Sequence, residues 1–253
     1  MAAPQRISVY DSQTSEYHRA FQVFLDHTDQ KVKAQHWLNG VIETLPARGV
    51  FIDVGAGNGK VTSWFIDSFE RTIATEPNDS LRAELKKHCP QIEVLAEKVL
   101  ETKMTARGDF ILCSHVFYYI DGSEWMATLD RIASWLSTEG VLALALQHHK
   151  TDCMEMVEHF FGRRFDLTSL ARNFQSELGN RYEVAVETVP ARIVASDFDS
   201  AYTIAEFMLN LLPMADPPAR SDLEKYVRSR FSSSEGGFRF SCDQDFLRIR
   251  RRR

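Results

Sequence analysis

The sequence has 253 residues, of which 44% are hydrophobic and 26% are charged, and its formal net charge is -5. This length and composition predict one large globular α/β domain with a substantial core. The acidic balance excludes the electrostatic footprint of a nucleic-acid-binding surface, so we expect no nucleic-acid partner.

Cysteine usage and the absence of targeting patterns indicate the compartment. The chain contains Cys89, Cys113, Cys153 and Cys242, which are widely spaced and form no C-x-x-C pair. This disfavours disulfide frameworks and thiolate zinc sites and favours a reducing, cytoplasmic setting. No signal-peptide pattern and no apolar run of membrane-spanning length is present. We therefore expect a soluble cytoplasmic protein without membrane attachment, and we favour a monomer.

In chain order, the first predicted element is an amphipathic helical segment over residues 11–45, with Tyr17, Phe21, Phe24 and Leu25 at spacings of three and four. From about Val50, short apolar runs alternate with helical patterns, which predicts βα units around a mainly parallel sheet. We place strands at 50–54, 71–75, 92–95, 109–114, 140–146, 182–189 and 238–249, and helices at 60–69, 79–87, 124–136 and 167–177. The last strand is expected to be antiparallel.

A helical insert precedes the last strand. Its two helical patterns, 201–212 and 221–231, are separated by Pro213 and by Pro217-Pro218, which break helices. Ligands of open α/β sheets bind outside the carboxyl ends of the strands. We therefore predict a single domain with an N-terminal helical lid (1–46), a ligand-binding core (47–195), a helical cover (196–235), and a last strand with a frayed basic tail (236–253).

The most informative motif follows the first strand, where residues 51–60 are FIDVGAGNGK. An acidic residue, Asp53, precedes a G-x-G-x-G pattern. A dinucleotide fingerprint needs glycine at the position of Lys60. A P-loop needs four residues between its first glycine and its Gly-Lys pair, and only three residues lie between Gly55 and Gly59-Lys60. The segment resembles the turn of class I S-adenosylmethionine-dependent methyltransferases. The resemblance implies a Rossmann-like methyltransferase fold, a seven-stranded sheet with helices on both faces, and S-adenosylmethionine as cofactor.

Residues at successive strand ends extend this resemblance. Glycines let the main chain approach a ligand closely, and a following helix N-terminus favours a carboxylate. Glu76, which Pro77 holds near the end of the second strand, is suited to accept both ribose hydroxyls. The resemblance implies that the cofactor-binding residues are Asp53, Gly55, Ala56, Gly57, Gly59, Glu76, Pro77, Ala96, Glu97 and Ser114.

Beyond this core, the chain resembles histamine N-methyltransferase. The resemblance rests on five segments, namely residues 24–28, Glu76-Pro77, residues 109–119 with the double tyrosine Tyr118-Tyr119, residues 161–165, and Pro217-Pro218. It implies an aromatic substrate pocket containing Tyr17, Phe21, Tyr119 and Phe165. At three positions where the family has polar residues that contact the substrate, this chain has different residues, namely Gln30, His115 and Cys242. We therefore expect the family's mechanism with a different acceptor.

The expected reaction is methyl transfer to a nitrogen of a small amine or heteroaromatic acceptor, in amine catabolism or natural-product tailoring. His115 is the predicted catalytic residue, which orients the nucleophile and takes its proton. The alternatives are an O-methyltransferase acting on a phenolic or acidic metabolite, and a non-catalytic cofactor-binding regulator. We expect no metal site, since His148 and His149 would point to opposite faces of a strand.

Overall fold

The computed structural model describes residues 5–10, 14–212 and 214–252. These residues form two compact units. We call the first the sheet unit, which comprises the described parts of Gln35–Leu146, Asp166–Thr188 and Asp245–Arg253. The second, the mixed unit, comprises the described parts of Met1–Ala34, Gln147–Phe165 and Val189–Gln244.

Strands and helices alternate along most of the chain. The strands are β1 Val50–Val54, β2 Arg71–Thr75, β3 Glu93–Leu95, β4 Gly108–Ser114, β5 Leu136–Gln147, β6 Tyr182–Val189, β7 Arg192–Ala195, β8 Phe238–Ser241 and β9 Gln244–Arg251. The helices are α1 Ser15–His27, α2 Gln30–Glu43, α3 Asp79–His88, α4 Trp125–Ser134, α5 Asp152–Phe161, α6 Leu167–Leu178, α7 Phe198–Leu209 and α8 Arg220–Arg230. The two insert helices and the helical character of the N-terminal segment over its described part are thus confirmed, whereas residues 11–13 of that segment and the predicted break at Pro213 lie outside the described residues.

A seven-stranded sheet with the order β3-β2-β1-β4-β5-β9-β6 organises the sheet unit. β1 pairs in parallel with β2 and β4, β2 with β3, and β4 with β5. Phe51, Ile52 and Val54 of β1 are completely buried, as expected for the central strand of a sheet covered by helices. The carboxyl ends of these parallel strands therefore lie along one edge, which confirms the predicted mainly parallel α/β sheet.

The helix predicted at 60–69 is wrong. Two 3₁₀ turns, Thr62–Trp64 and Ile66–Ser68, stand in its place. The Thr62 hydroxyl donates to the Asp53 carboxylate, and the Ser63 hydroxyl donates to the Lys60 backbone carbonyl, where it competes with a helical backbone bond. The predicted helix N-terminus that would face a carboxylate is therefore absent from the described residues of this segment.

The single strand predicted at 238–249 is also wrong, because the chain turns at Cys242 and Asp243. β8 pairs antiparallel with β7, which the sequence pattern did not predict, and β9 enters the seven-stranded sheet. The break is held by Ala191, whose N–H donates to the Asp243 carboxylate at 2.9 Å and whose carbonyl accepts from Cys242 N at 3.0 Å. Helix α5 was likewise not predicted.

The described part of the basic tail, which ends at Arg252, is ordered, in contrast to the frayed tail expected. β9 extends to Arg251, whose guanidinium donates to the carbonyls of Ser134 at 3.0 Å and Leu136 at 3.1 Å. Arg252 donates to the Gly179 carbonyl at 2.6 Å. Helix C-termini leave carbonyls without helical partners, and cations there are favourable. These arginines therefore close the ends of α4 and α6.

In the mixed unit, α7 packs against α1, α5, α8 and β7. Residues 5–10 bind to α7 through Glu206, a buried acid that accepts from Ser8 N, from the Tyr10 hydroxyl and from the Tyr202 hydroxyl. No helix in the described part of the chain is long and apolar enough to cross a membrane.

Candidate active site

The glycine turn, residues 55–60, follows β1 at the carboxyl edge of the sheet. The N–H groups of Gly55 and Ala56 donate to the Thr75 carbonyl at 2.8 and 3.0 Å, so the turn is fastened to the end of β2. Gly55, Gly57 and Gly59 have φ values of 68°, 57° and 84°. This left-handed backbone favours glycine over residues with a Cβ.

Each glycine of the turn has different surroundings. A Cβ on Gly55 would lie 2.5 Å from Val116 Cγ2, and one on Gly59 would lie 2.7 Å from Leu85 Cδ1. A Cβ on Gly57 would meet nothing within 4 Å. Gly55 and Gly59 therefore serve packing, whereas the Gly57 main chain faces open space and is accessible to a ligand.

Glu76 connects the glycine turn to the end of β2. Its side chain is buried, and its two carboxylate oxygens accept from Gly57 N at 2.8 Å and from Asn78 N at 2.9 Å. Its own N–H donates to the Leu95 carbonyl at the end of β3. A carboxylate offers about four acceptor positions, so Glu76 can accept further hydrogen bonds from a ligand.

Asp53 lies beneath the turn and is 3% exposed. Burial raises the pKa of this carboxyl to about 7; the hydrogen bond from Thr62 at 2.7 Å opposes the shift, and the charge of Glu76 adds to it. A bound cation would favour the ionised form of a buried carboxyl. Asp53 is therefore suited to pair with an ammonium group.

The segment after β4 contains the predicted catalytic residue. Ser114 is aligned with Ala145, and the His115 N–H donates to the Ala145 carbonyl at 2.8 Å. His115 has a φ of 61° and is the single non-glycine residue with positive φ among the described residues. Its Nδ1 lies 3.4 Å from the hydroxyl oxygen of Tyr118, and the two rings stack. Such strained conformations concentrate at functional sites.

The strand-end residues predicted from the sequence are thus largely brought together in the sheet unit. Glu76 contacts the glycine turn, and Val116, next to His115, lies against Gly55. Ala96 and Glu97 are exposed directly after β3, where the adenine contact is predicted. Tyr119 is 64% exposed.

The mixed unit contains the predicted aromatic residues Tyr17 and Phe21. Both pack against Phe207 of α7, with ring centroids 5.6 and 5.5 Å away, and Phe24 joins them at 5.7 Å. Burial raises the pKa of Tyr17. These rings form one cluster, as the helical spacing of α1 predicts. Phe165 is buried, and the Arg163 guanidinium lies over its ring.

Gln30 and Cys242, two predicted substrate contacts, lie together. The Gln30 side-chain amide donates to the Cys242 carbonyl at 2.8 Å. The Cys242 thiol is buried and lies 3.3 Å from the Thr28 hydroxyl, and burial raises its pKa to about 12. This thiol therefore stays protonated at neutral pH, and the Gln30 amide is already engaged.

His148 and His149 were expected to point to opposite faces of a strand, and this is wrong. β5 ends at Gln147, so strand alternation does not apply to them, and their ring centroids are 4.8 Å apart. Sequence reasoning also did not identify Thr62, which binds Asp53, and Arg82, which contacts the carbonyls of Glu76 and Pro77. No sequence motif marks either residue.

The fold and this carboxyl-edge site resemble those of class I S-adenosylmethionine-dependent methyltransferases. The residues fit the cofactor, because Gly57 presents an open main chain between two buried carboxylates, Asp53 and Glu76. A family model described as a methyltransferase domain matches residues 25–188, more than half of the chain. The chain belongs to this methyltransferase family.

Individual relatives are distant. An uncharacterized methyltransferase of Alkaliphilus oremlandii (strain OhILAs) is 23% identical over 116 residues, which cover 44% of this chain and 54% of that protein. The match thus spans about half the length of the curated relative. The YcgJ protein of Bacillus subtilis has a TM-score of 0.63 at 15% identity, covering 86% of this chain and 99% of that one. The N-methyltransferase NodS of Bradyrhizobium japonicum WM9, with S-adenosylhomocysteine, has a TM-score of 0.56 at 12% identity, covering 95% and 100%.

Proposed function

We propose that this protein transfers a methyl group to a nitrogen of a small amine or heteroaromatic acceptor. The observation that carries the proposal is the carboxyl-edge site, in which Glu76 joins the open glycine turn and the strained His115 follows β4. The resemblance to histamine N-methyltransferase, which stays a prediction, and the structural similarity to the N-methyltransferase NodS support nitrogen over oxygen.

Within the cofactor site, each residue has a proposed role. S-adenosylmethionine supplies a methyl group that is already activated on a sulfonium. Glu76 accepts from the ribose hydroxyls with its remaining acceptor positions. Asp53 accepts from the ammonium group, and the open main chain at Gly57 admits the methionine portion closely. The residues Gly55, Ala56, Gly59, Pro77, Ala96, Glu97 and Ser114 complete the proposed cofactor contacts.

On the acceptor side, we propose that His115 orients the nucleophile and takes its proton. A sulfonium methyl donor needs alignment and exclusion of water more than strong base catalysis. The aromatic rings of Tyr17, Phe21, Tyr119 and Phe165 are proposed to contact a flat acceptor through their faces. Gln30 and Cys242 remain predicted contacts, although the structure shows them bound to each other.

The test is calorimetric titration of the purified protein with S-adenosylmethionine and S-adenosylhomocysteine, for wild type and Glu76→Ala. Loss of the carboxylate removes charge-assisted hydrogen bonds, so we expect binding weaker by about tenfold or more. Asp79→Ala is the matched control, because its carboxylate lies three residues away on the surface of α3 and its side chain is 91% exposed. No binding by folded wild type would overturn the cofactor site.

Acceptor screening then separates the alternatives. S-adenosylhomocysteine release is measured with a panel of amines and heteroaromatics and then with phenols and carboxylic acids. Release with amines and a product heavier by one methyl group support the proposal. Release with phenols alone would favour the O-methyltransferase alternative, and binding without release across both panels would favour a non-catalytic regulator.

A further inference from the structure

Helix α3 contacts the link between β2 and α3 near its start and the glycine turn at its end. Near its start, Arg82 reaches back to the link between β2 and α3, which carries Glu76. At its end, the His88 side chain bonds to the Asn58 carbonyl at 2.7 Å, and Leu85 and Cys89 lie against Gly59. Helix α3 therefore contacts both the glycine turn and Glu76, the acid that bonds to this turn.

The link between β2 and α3, residues 76–78, has few backbone N–H donors of its own. Pro77 has no N–H, so the carbonyls of this link need partners from outside it. One guanidinium nitrogen of Arg82, Nη1, donates to the Glu76 carbonyl at 2.9 Å and to the Pro77 carbonyl at 3.1 Å. The other terminal nitrogen bonds to the Asp79 carboxylate. The Arg82 side chain is 19% exposed, and its bond to the Glu76 carbonyl is partly buried, whereas its partner Asp79 lies at the surface.

These contacts fix the direction of the Glu76 side chain. Its backbone is held by Arg82 on the carbonyl side and by the Leu95 carbonyl on the N–H side, and its carboxylate meets Gly57 N. We propose that Arg82 is a positioning residue for cofactor binding, which acts by holding Glu76 toward the glycine turn. This inference rests on the cofactor role proposed for Glu76.

The experiment is a double-mutant cycle on cofactor binding. Dissociation constants for S-adenosylmethionine and S-adenosylhomocysteine are measured by calorimetry for wild type, Arg82→Ala, Glu76→Ala and the double variant. We expect Arg82→Ala to weaken binding by about tenfold, as for loss of a charged hydrogen-bond donor. In the Glu76→Ala background, the same change should have almost no effect, because the side chain that Arg82 positions is gone.

Two further variants serve as controls. Arg71 lies at the opposite end of β2, where it pairs with the exposed Glu93, so Arg71→Ala removes the same type of charge without touching the link. Asp79→Ala removes only the ion pair of Arg82 and leaves both carbonyl contacts. Both should bind the cofactor like wild type. If Arg82→Ala is unfolded at the assay temperature, Arg82→Gln replaces it, with weakening expected in the same direction.

The outcomes separate this inference from the cofactor site itself. If wild type does not bind the cofactor, both the cofactor site and the role of Arg82 are overturned. Wild type that binds, with Arg82 variants equal to it, would overturn only the role of Arg82. The role of Arg82 would also be overturned if Arg82→Ala weakened cofactor binding equally in wild type and in Glu76→Ala, because Arg82 would then act independently of Glu76.

Discussion

The Thr62 hydroxyl donates a 2.7 Å hydrogen bond to the Asp53 carboxylate in the interior of the sheet unit. The bond favours the ionised form of Asp53, whereas burial, the larger effect, favours the protonated form and raises its pKa from 3.8 to about 7. Stability and protonation are therefore coupled at this residue.

This coupling predicts a dependence of stability on pH. Because the folded-state pKa lies above the unfolded value, folded protein binds more protons than unfolded chain between pH 3.8 and about 7. The contribution of Asp53 to the free energy of unfolding is thus complete below pH 3.8 and is lost as the pH rises through about 7. We expect the free energy of unfolding to fall between pH 5 and 8 in wild type, and to fall by roughly 1–3 kcal/mol less in Asp53→Asn. Urea denaturation at each pH measures both decreases.

Thr62→Val is the matched variant for this prediction. It keeps the shape of the side chain and removes the hydrogen bond that lowers the Asp53 pKa. The fall in stability should therefore extend to higher pH than in wild type. Identical pH profiles for wild type, Asp53→Asn and Thr62→Val would show that Asp53 does not titrate in this range.

Two alanine substitutions in the glycine turn should have different consequences. Gly57 and Gly59 both have left-handed backbone, so either change costs about 1–2 kcal/mol from conformation alone. Gly59→Ala also forces a Cβ against Leu85 and Cys89, and we expect a total loss of about 2–4 kcal/mol. Gly57→Ala meets no protein atom, and its Cβ should instead obstruct the cofactor.

Urea denaturation and cofactor titration together check this difference. Gly57→Ala should lose more cofactor affinity than Gly59→Ala while remaining the more stable of the two. The reverse order in both measurements would mean that Gly59, and not Gly57, faces the cofactor.

His115→Ala should lower turnover by about a hundredfold, the typical contribution of a general base, with cofactor affinity nearly intact. His115 is held at a φ of 61°, so alanine also adds backbone strain. His115→Asn controls for this, because asparagine tolerates left-handed backbone but cannot take a proton at neutral pH. Turnover is measured with an acceptor found in the screen. Full activity in His115→Asn would show that the conformation, and not the imidazole, is needed.

The parts of the site that the sequence predicted are local in the chain. The apolar run ending at Asp53, the spacing of the glycines and Pro77 after Glu76 each depend on a few neighbouring residues. For this reason the strand ends and the fold were predictable. The left-handed backbone of His115 was not, because no local pattern marks it and its N–H bonds to Ala145, which is far along the chain in the neighbouring strand.

Errors in the predicted elements also arise from contacts between residues that are far apart in the sequence. The pattern 238–249 is apolar enough for one strand, and only the contacts of Ala191 with Cys242 and Asp243 divide it. The arginines at 251 and 252 look like a solvated tail until the helix ends that they bind are in place. Contacts between residues far apart in sequence decide both cases.

Gln30 gives the sharpest test of whether a predicted substrate contact is instead structural. It is 2% exposed and bonds to the Cys242 carbonyl, a residue 212 positions away. Gln30→Ala leaves that buried carbonyl without this donor, which should reduce the free energy of unfolding by about 1–3 kcal/mol. Gln30→Glu should destabilise at neutral pH as well, since a carboxylate cannot donate to a carbonyl and its burial is costly. Val32→Ala, at a position of α2 that is 72% exposed, is the control for urea denaturation. If Gln30→Ala keeps wild-type stability but changes which acceptors are methylated, Gln30 contacts the acceptor and its bond to Cys242 is dispensable for folding.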